Sequence, residues 1–166
     1  MVLIPGITIL GAFLGHTGGG SGEEPGGPSA RARASAGGRL AAEVRNINRA
    51  SVGETRVATF LGAEFGMSEE AIIKEKRALG ASWGNLTVAH TLAASDKQGM
   101  TVAEVLHLFD CGLGWGQIAA GLGFNLNDAV RAVSAESRVA RGRAKADGKA
   151  APIRSGQADH VAVSSL

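Results

Sequence analysis

Two stretches decide the fold of this chain: Gly80-Ala81-Ser82-Trp83-Gly84 and Gly112-Leu113-Gly114-Trp115-Gly116. The tryptophans lie 32 residues apart, and the Gly-Met pairs that precede them, Gly66-Met67 and Gly99-Met100, lie 33 apart. Each corner follows an amphipathic run opening Gly-Met-Ser or Gly-Met-Thr and precedes an apolar run. A corner that recurs at this spacing implies one helix-corner-helix unit used twice, each completing the other's apolar face.

Working outward, the helix signals agree. Ser51–Glu54 and Thr101–Glu104 read as capping boxes, in which a hydroxyl accepts a backbone N–H and the glutamate reaches back. Ser68 followed by Glu69 and Glu70 supplies an N-cap with acids in the first turn, and Asn125 or Asn127 can cap the last helix. Glycines 80, 99, 112 and 123 stand where helices should stop. Val102, Val105, Leu106 and Phe109 fall at helical spacing, as do Leu126, Ala129, Val130 and Val133. The expected helices are 39–49, 54–65, 68–79, 83–94, 101–111, 115–122 and 126–141. With no tyrosine, five phenylalanines and abundant alanine and glycine, the composition suits close helix packing and not a sheet. The expected fold is all-α.

The 166 residues allow one domain. Residues 17–38 carry no large apolar side chain and read as a flexible linker; residues 143–166 read as a flexible tail, which leaves 39–142 as the helical domain. Residues 1–16 are apolar and uncharged over 2–15, too short for a membrane span and of the length of a secretory apolar region. No Lys or Arg precedes this run, and Ala34-Ser35-Ala36 lies too far beyond it to serve as a cleavage site. The balance favours export to the periplasm or medium, with the cytoplasm as the alternative.

The net charge of +2 implies no partner. Between Arg131 and Lys149, however, six basic side chains face Glu136 and Asp147, an arm that suits a solvated helix end or an anionic partner. Two segments fit a tight helix-turn-helix: Gly62, Gly66 and Ile72 in the first, and Ala119, Gly123 and Ala129 in the second. The first second helix opens with Glu69 and Glu70, which would repel phosphate. The other presents Asn125, Asn127 and Arg131, then Arg138 and Arg141, donors suited to a nucleic acid.

Chemistry-bearing residues are sparse. His107 and Cys111 can meet across one helical turn, but a lone cysteine at a helix end reads as a small packing residue. His16, His90 and His160 are scattered without metal-ligand spacing, and Gly18–Gly22 lacks the lysine of a phosphate loop. No cofactor, metal or catalytic residue is expected, so the chain reads as non-enzymatic.

The stretches Phe65–Ser68, Ala78–Leu86, Cys111–Ala119 and Leu122–Leu126 together resemble uncharacterised small, often exported bacterial helical proteins with tandem Gly-x-Gly-Trp-Gly-(Glu/Gln)-Ile corners. The second corner is the closer match; the first has Ala81-Ser82 in the lead and Asn85-Leu86 after the Trp-Gly pair. The resemblance implies a helical fold and export, and it carries no catalytic residue. Trp83 and Trp115 are then either paired aromatic anchors for a peptide, glycan or lipid or indoles that seal each corner. Two functions follow: an exported interaction protein presenting Trp83 and Trp115, or a cytoplasmic DNA-binding protein using 115–141 and the basic arm.

Overall fold

The computed structural model describes residues 28–50 and 53–156. These form seven helices: α1 (Pro28–Ala50), α2 (Glu54–Phe65), α3 (Glu69–Ala78), α4 (Trp83–Ser95), α5 (Val102–Asp110), α6 (Trp115–Gly121) and α7 (Leu126–Ala140). No strand occurs among the described residues, where Phe124 and Ser155 form one isolated bridge. No described helix is long and apolar enough to cross a membrane. The apolar segment 2–15, His16 and His160 lie outside the described residues.

The caps explain why the helices start where they do. Ser68 Oγ accepts from the Ala71 N–H, Ser82 Oγ from Asn85, and Asn125 Oδ1 from Asn127 and Asp128, so Asn125 and not Asn127 caps α7. The Thr101–Glu104 capping box is complete, and the Thr101 N–H and then its hydroxyl hold the Glu104 carboxyl below its ordinary range. Ser51, the hydroxyl partner of the other expected box, lies outside the described residues. Gly53, at φ 122°, is the N-cap and makes no side-chain bond, so Glu54 becomes the first helical residue and faces Lys76 at 3.5 Å and Arg77 at 3.6 Å on α3.

Helix α4 is buried nearly all round, with Trp83, Leu86, Thr87, Val88, Ala89, Thr91 and Leu92 inside, as expected of a central helix. Its two threonines satisfy their hydroxyls on the preceding turn, Thr87 to Trp83 O at 2.8 Å and Thr91 to Thr87 O at 2.7 Å. Around it, α1 packs on α4, α6 and α7, while α2 packs on α3 and α7. Leu40, Ile47, Leu61, Ile72, Leu86 and Leu92 form the fully buried centre.

Two boundaries differ from the sequence reading. The linker expected over 17–38 is helical from Pro28 onward. Its Ser-Ala-Arg-Ala-Arg-Ala stretch is rich in the strongest helix former, and proline suits the first helical position. Small size here is an asset, since Ala36 is fully buried where α6 crosses. The tail expected from 143 is likewise ordered through Gly156. It returns along α7 and is held mainly by its backbone: Asp147 N donates to Glu64 Oε2 (2.9 Å), Ala151 N to Glu136 Oε1 (2.7 Å) and Ile153 N to Ser95 Oγ (3.2 Å). Gly156 N donates to Gly123 O and Asn125 N to Arg154 O. Only Ile153 of this strap is buried, so apolar content alone could not reveal it. Residues 157–166 lie outside the described residues.

Candidate functional site

The two Trp-Gly corners share one geometry. Gly80 (φ 61°) and Gly112 (φ 92°) reverse the chain in the left-handed region, and the tryptophan three residues on is the first residue of the next helix. The glycine after each tryptophan lies against α1. A Cβ on Gly84 would stand 2.5 Å from Val44 O, and one on Gly116 would stand 2.7 Å from Gly37 N. Gly37 and Val44 are seven residues apart, two helical turns, so both corners seat on the same side of α1. Asn48 reinforces the first seat: its Oδ1 accepts from Gly84 N at 2.8 Å.

This packing places both indoles inside. Trp83 is 5% and Trp115 3% exposed. Trp115 stacks on Phe109 with centroids 4.4 Å apart, and the Lys76 ammonium sits 5.2 Å from the centre of the Trp83 ring. Neither can anchor a ligand on the surface. The expectation of Trp83 and Trp115 as interaction residues is therefore corrected: flanking glycines let the backbones approach until the rings are covered.

The residues expected to face nucleic acid have mixed fates. Asn125 is consumed as the α7 cap. Arg141 Nε donates to Ser137 O at 3.0 Å, closing the helix end. Asn127, Arg131 and Arg138 are exposed, and their spacing puts them on one stripe of α7. Sequence reading missed two cations beside them. Arg39 of α1 donates to Asn127 Oδ1 at 3.1 Å, and Arg154 of the strap pairs with Asp128 at 2.6 Å. Asp128 is buried and also bonds Arg131, yet the arginine side chains stay 70% and 78% exposed. One carboxylate thus orients two guanidinium groups without removing them from solvent. The helix-turn-helix packing itself holds: a Cβ on Gly62 would meet Met67 O at 2.9 Å, and Phe124 N donates to Ala119 O at 3.0 Å.

Charge is divided between the elements. Helix α1 has five arginines against Glu43, and residues 126–156 have seven basic side chains against Asp128, Glu136 and Asp147. Residues 53–125 reverse the balance, with five basic and eight acidic side chains. Since α1 packs on α7, the two basic segments lie together.

The other candidates are structural. Cys111 Sγ lies 3.7 Å from His107 Nε2, as helical spacing expects, on an exposed surface. His90 is held by Glu75 at 2.6 Å and stacks on Phe65. Among the described residues no group of three or more His, Cys, Asp or Glu is arranged to hold a metal ion. An unexpected pair is buried beneath the strap: Glu64 and Glu136, 3% and 1% exposed. Burial, and then the charges of Glu64 and Asp147, push the Glu136 carboxyl up to about 7, against the opposing Ala151 N–H. No family model, curated protein or solved structure matches the chain.

Proposed function

We propose that this chain is a non-enzymatic binding protein that engages duplex DNA through the basic face formed by α1, α7 and the strap. The observation that carries the reading is the segregation of charge: twelve basic side chains in two adjacent segments, outnumbering four acids. On that face Arg39 bonds Asn127, Arg131 and Arg154 pair with Asp128, and Arg138 stands further along the same stripe of α7. Fixed by helix backbones and by Asp128, they lose little freedom when they meet phosphates, which favours affinity. Guanidinium groups also suit phosphate geometry. Asn127 and Arg131 are the residues able to read base edges; the rest supply charge.

Four phosphate contacts would give a slope of log affinity against log salt of about −3.6, so affinity should fall roughly a hundredfold between about 50 and 200 mM salt. Fluorescence anisotropy with a labelled duplex tests this. The triple variant Arg39→Ala, Arg131→Ala, Arg138→Ala should lose most of the affinity and flatten the slope. Lys74→Ala with Arg77→Ala, on exposed α3 positions, should change neither. Absence of binding at low salt, or equal binding by both variants, refutes the reading. A mature N-terminus found cleaved outside the cytosol refutes it independently.

A further inference from the structure

The strap and the buried carboxyl pair beneath it define a mechanism separate from the proposed DNA contact. Glu64 comes from α2 and Glu136 from α7, and each accepts one strap amide: Asp147 N on Glu64 Oε2, Ala151 N on Glu136 Oε1. Glu136 Oε2 is fully buried and receives no N–H or O–H from elsewhere in the described structure. Glu64 and Glu136 line the same space beneath the strap. A buried oxygen so placed is satisfied by carrying a proton itself, and without that proton the Glu136 charge confronts the charge of Glu64.

We propose that residues 143–151 are a proton-gated lid over α7, closed while Glu136 keeps its proton and released when that proton is lost. The lid has fixed ends. Gly142 packs on the Phe60 ring, and Ile153 is buried with its N–H on Ser95 Oγ. Beyond it, backbone bonds from Asn125 to Arg154 and from Gly156 to Gly123 carry no titratable proton. Opening therefore lifts the middle of the strap while both ends stay attached. With the lid closed, the strap and α7 together line a space of roughly 350 Å3 beside Ala135 and Val139, and opening removes its strap wall.

The charged groups around the pair are Glu64 from α2, Asp147, Lys145 and Lys149 from the strap, and Arg138 from α7 itself. Of these, the charges of Glu64 and Asp147 act on Glu136, and both favour its protonated form. Opening that returns this carboxyl from about 7 to its ordinary 4.5 gives closure that is strongest below 4.5. Closure weakens as pH rises through about 7.

Amide hydrogen exchange on the full chain, without DNA, tests the lid alone. From about pH 5.5 to about pH 8.5, protection at Asp147 and Ala151, corrected for intrinsic exchange, should fall about 30-fold. At both pH values Leu92 in the core should stay better protected than either strap amide. Glu136→Gln keeps the shape of the protonated form and should leave both strap amides protected at either pH. Should circular dichroism show this variant unfolded, Glu64→Gln serves the same comparison. A wild-type drop below about threefold, strap amides as well protected as Leu92, or an undiminished drop in a folded Gln variant overturns the proposal. Because no nucleic acid is present, these outcomes are independent of the DNA reading.

Discussion

Substitution of Gly84 by alanine tests the seating of the corners on α1. The added Cβ would stand 2.5 Å from Val44 O, 2.7 Å from Val44 Cα and 2.8 Å from Val44 Cγ1. Two of these atoms are backbone, so no rotamer change relieves the contact, and α1 and α4 must part by on the order of 1 Å to restore van der Waals separation. Overpacking of this kind costs about 3 kcal/mol at the upper end of its usual range. Alanine recovers about 1 kcal/mol of helix propensity, and stretching the Asn48–Gly84 bond loses about 1 kcal/mol. The net destabilisation is about 3 kcal/mol. Urea unfolding followed by far-ultraviolet circular dichroism should show a lower midpoint at unchanged slope. Gly38→Ala is the control: it lies in α1 with nothing within 4 Å of its Cβ position, and should stabilise by about 0.5–1 kcal/mol. If Gly84→Ala behaves like Gly38→Ala, the corner does not seat on α1 as described.

Trp115→Ala should cost about 3–5 kcal/mol, and acrylamide should quench wild-type indole fluorescence poorly because both rings are buried. Asn125→Ala should lower stability by about 1 kcal/mol yet leave the DNA affinity of the folded protein unchanged; weakened affinity would make Asn125 a reader as well as a cap. Wild-type stability should be highest, with respect to Glu136, below pH 4.5 and fall as pH passes about 7. The folded chain holds that proton more tightly than the unfolded chain, which amounts to about 3 kcal/mol across the window. Urea midpoints for Glu136→Gln should lack this decline; a parallel decline in the variant would assign it to other groups.

The helices were legible in the sequence because their ends are marked by residues with one strong local role. Ser68, Thr101 and Asn125 each cap a helix, and Gly80 and Gly112 occupy conformations that other residues avoid. What failed was inference from burial capacity. The stretch before Arg39 and the strap after Gly142 contain little to bury, so both read as unstructured. The first is helical through alanine propensity and its fit against Gly116; the second is tied by amides to Glu64 and Glu136. These are contacts between residues 15 to 83 positions apart, which no local pattern signals. For the same reason Arg39 and Arg154 were missed, since only folding brings them beside Asn127 and Asp128. The tryptophans were recognisable as corner residues, but their burial depends on how closely α1 approaches the glycines beside them.

The position of α1 bears on how the chain is made. It is the first described helix to leave the ribosome, yet it packs on α4, α6 and α7, and α7 ends 90 residues after α1 does. At ordinary synthesis rates that gap lasts roughly 5–20 s. During this interval Leu40 and Ile47, fully buried in the finished fold, have no complete surface to cover them. Nascent chains arrested before α7 should therefore be protease-sensitive throughout α1, and productive folding should begin only once α7 has been made.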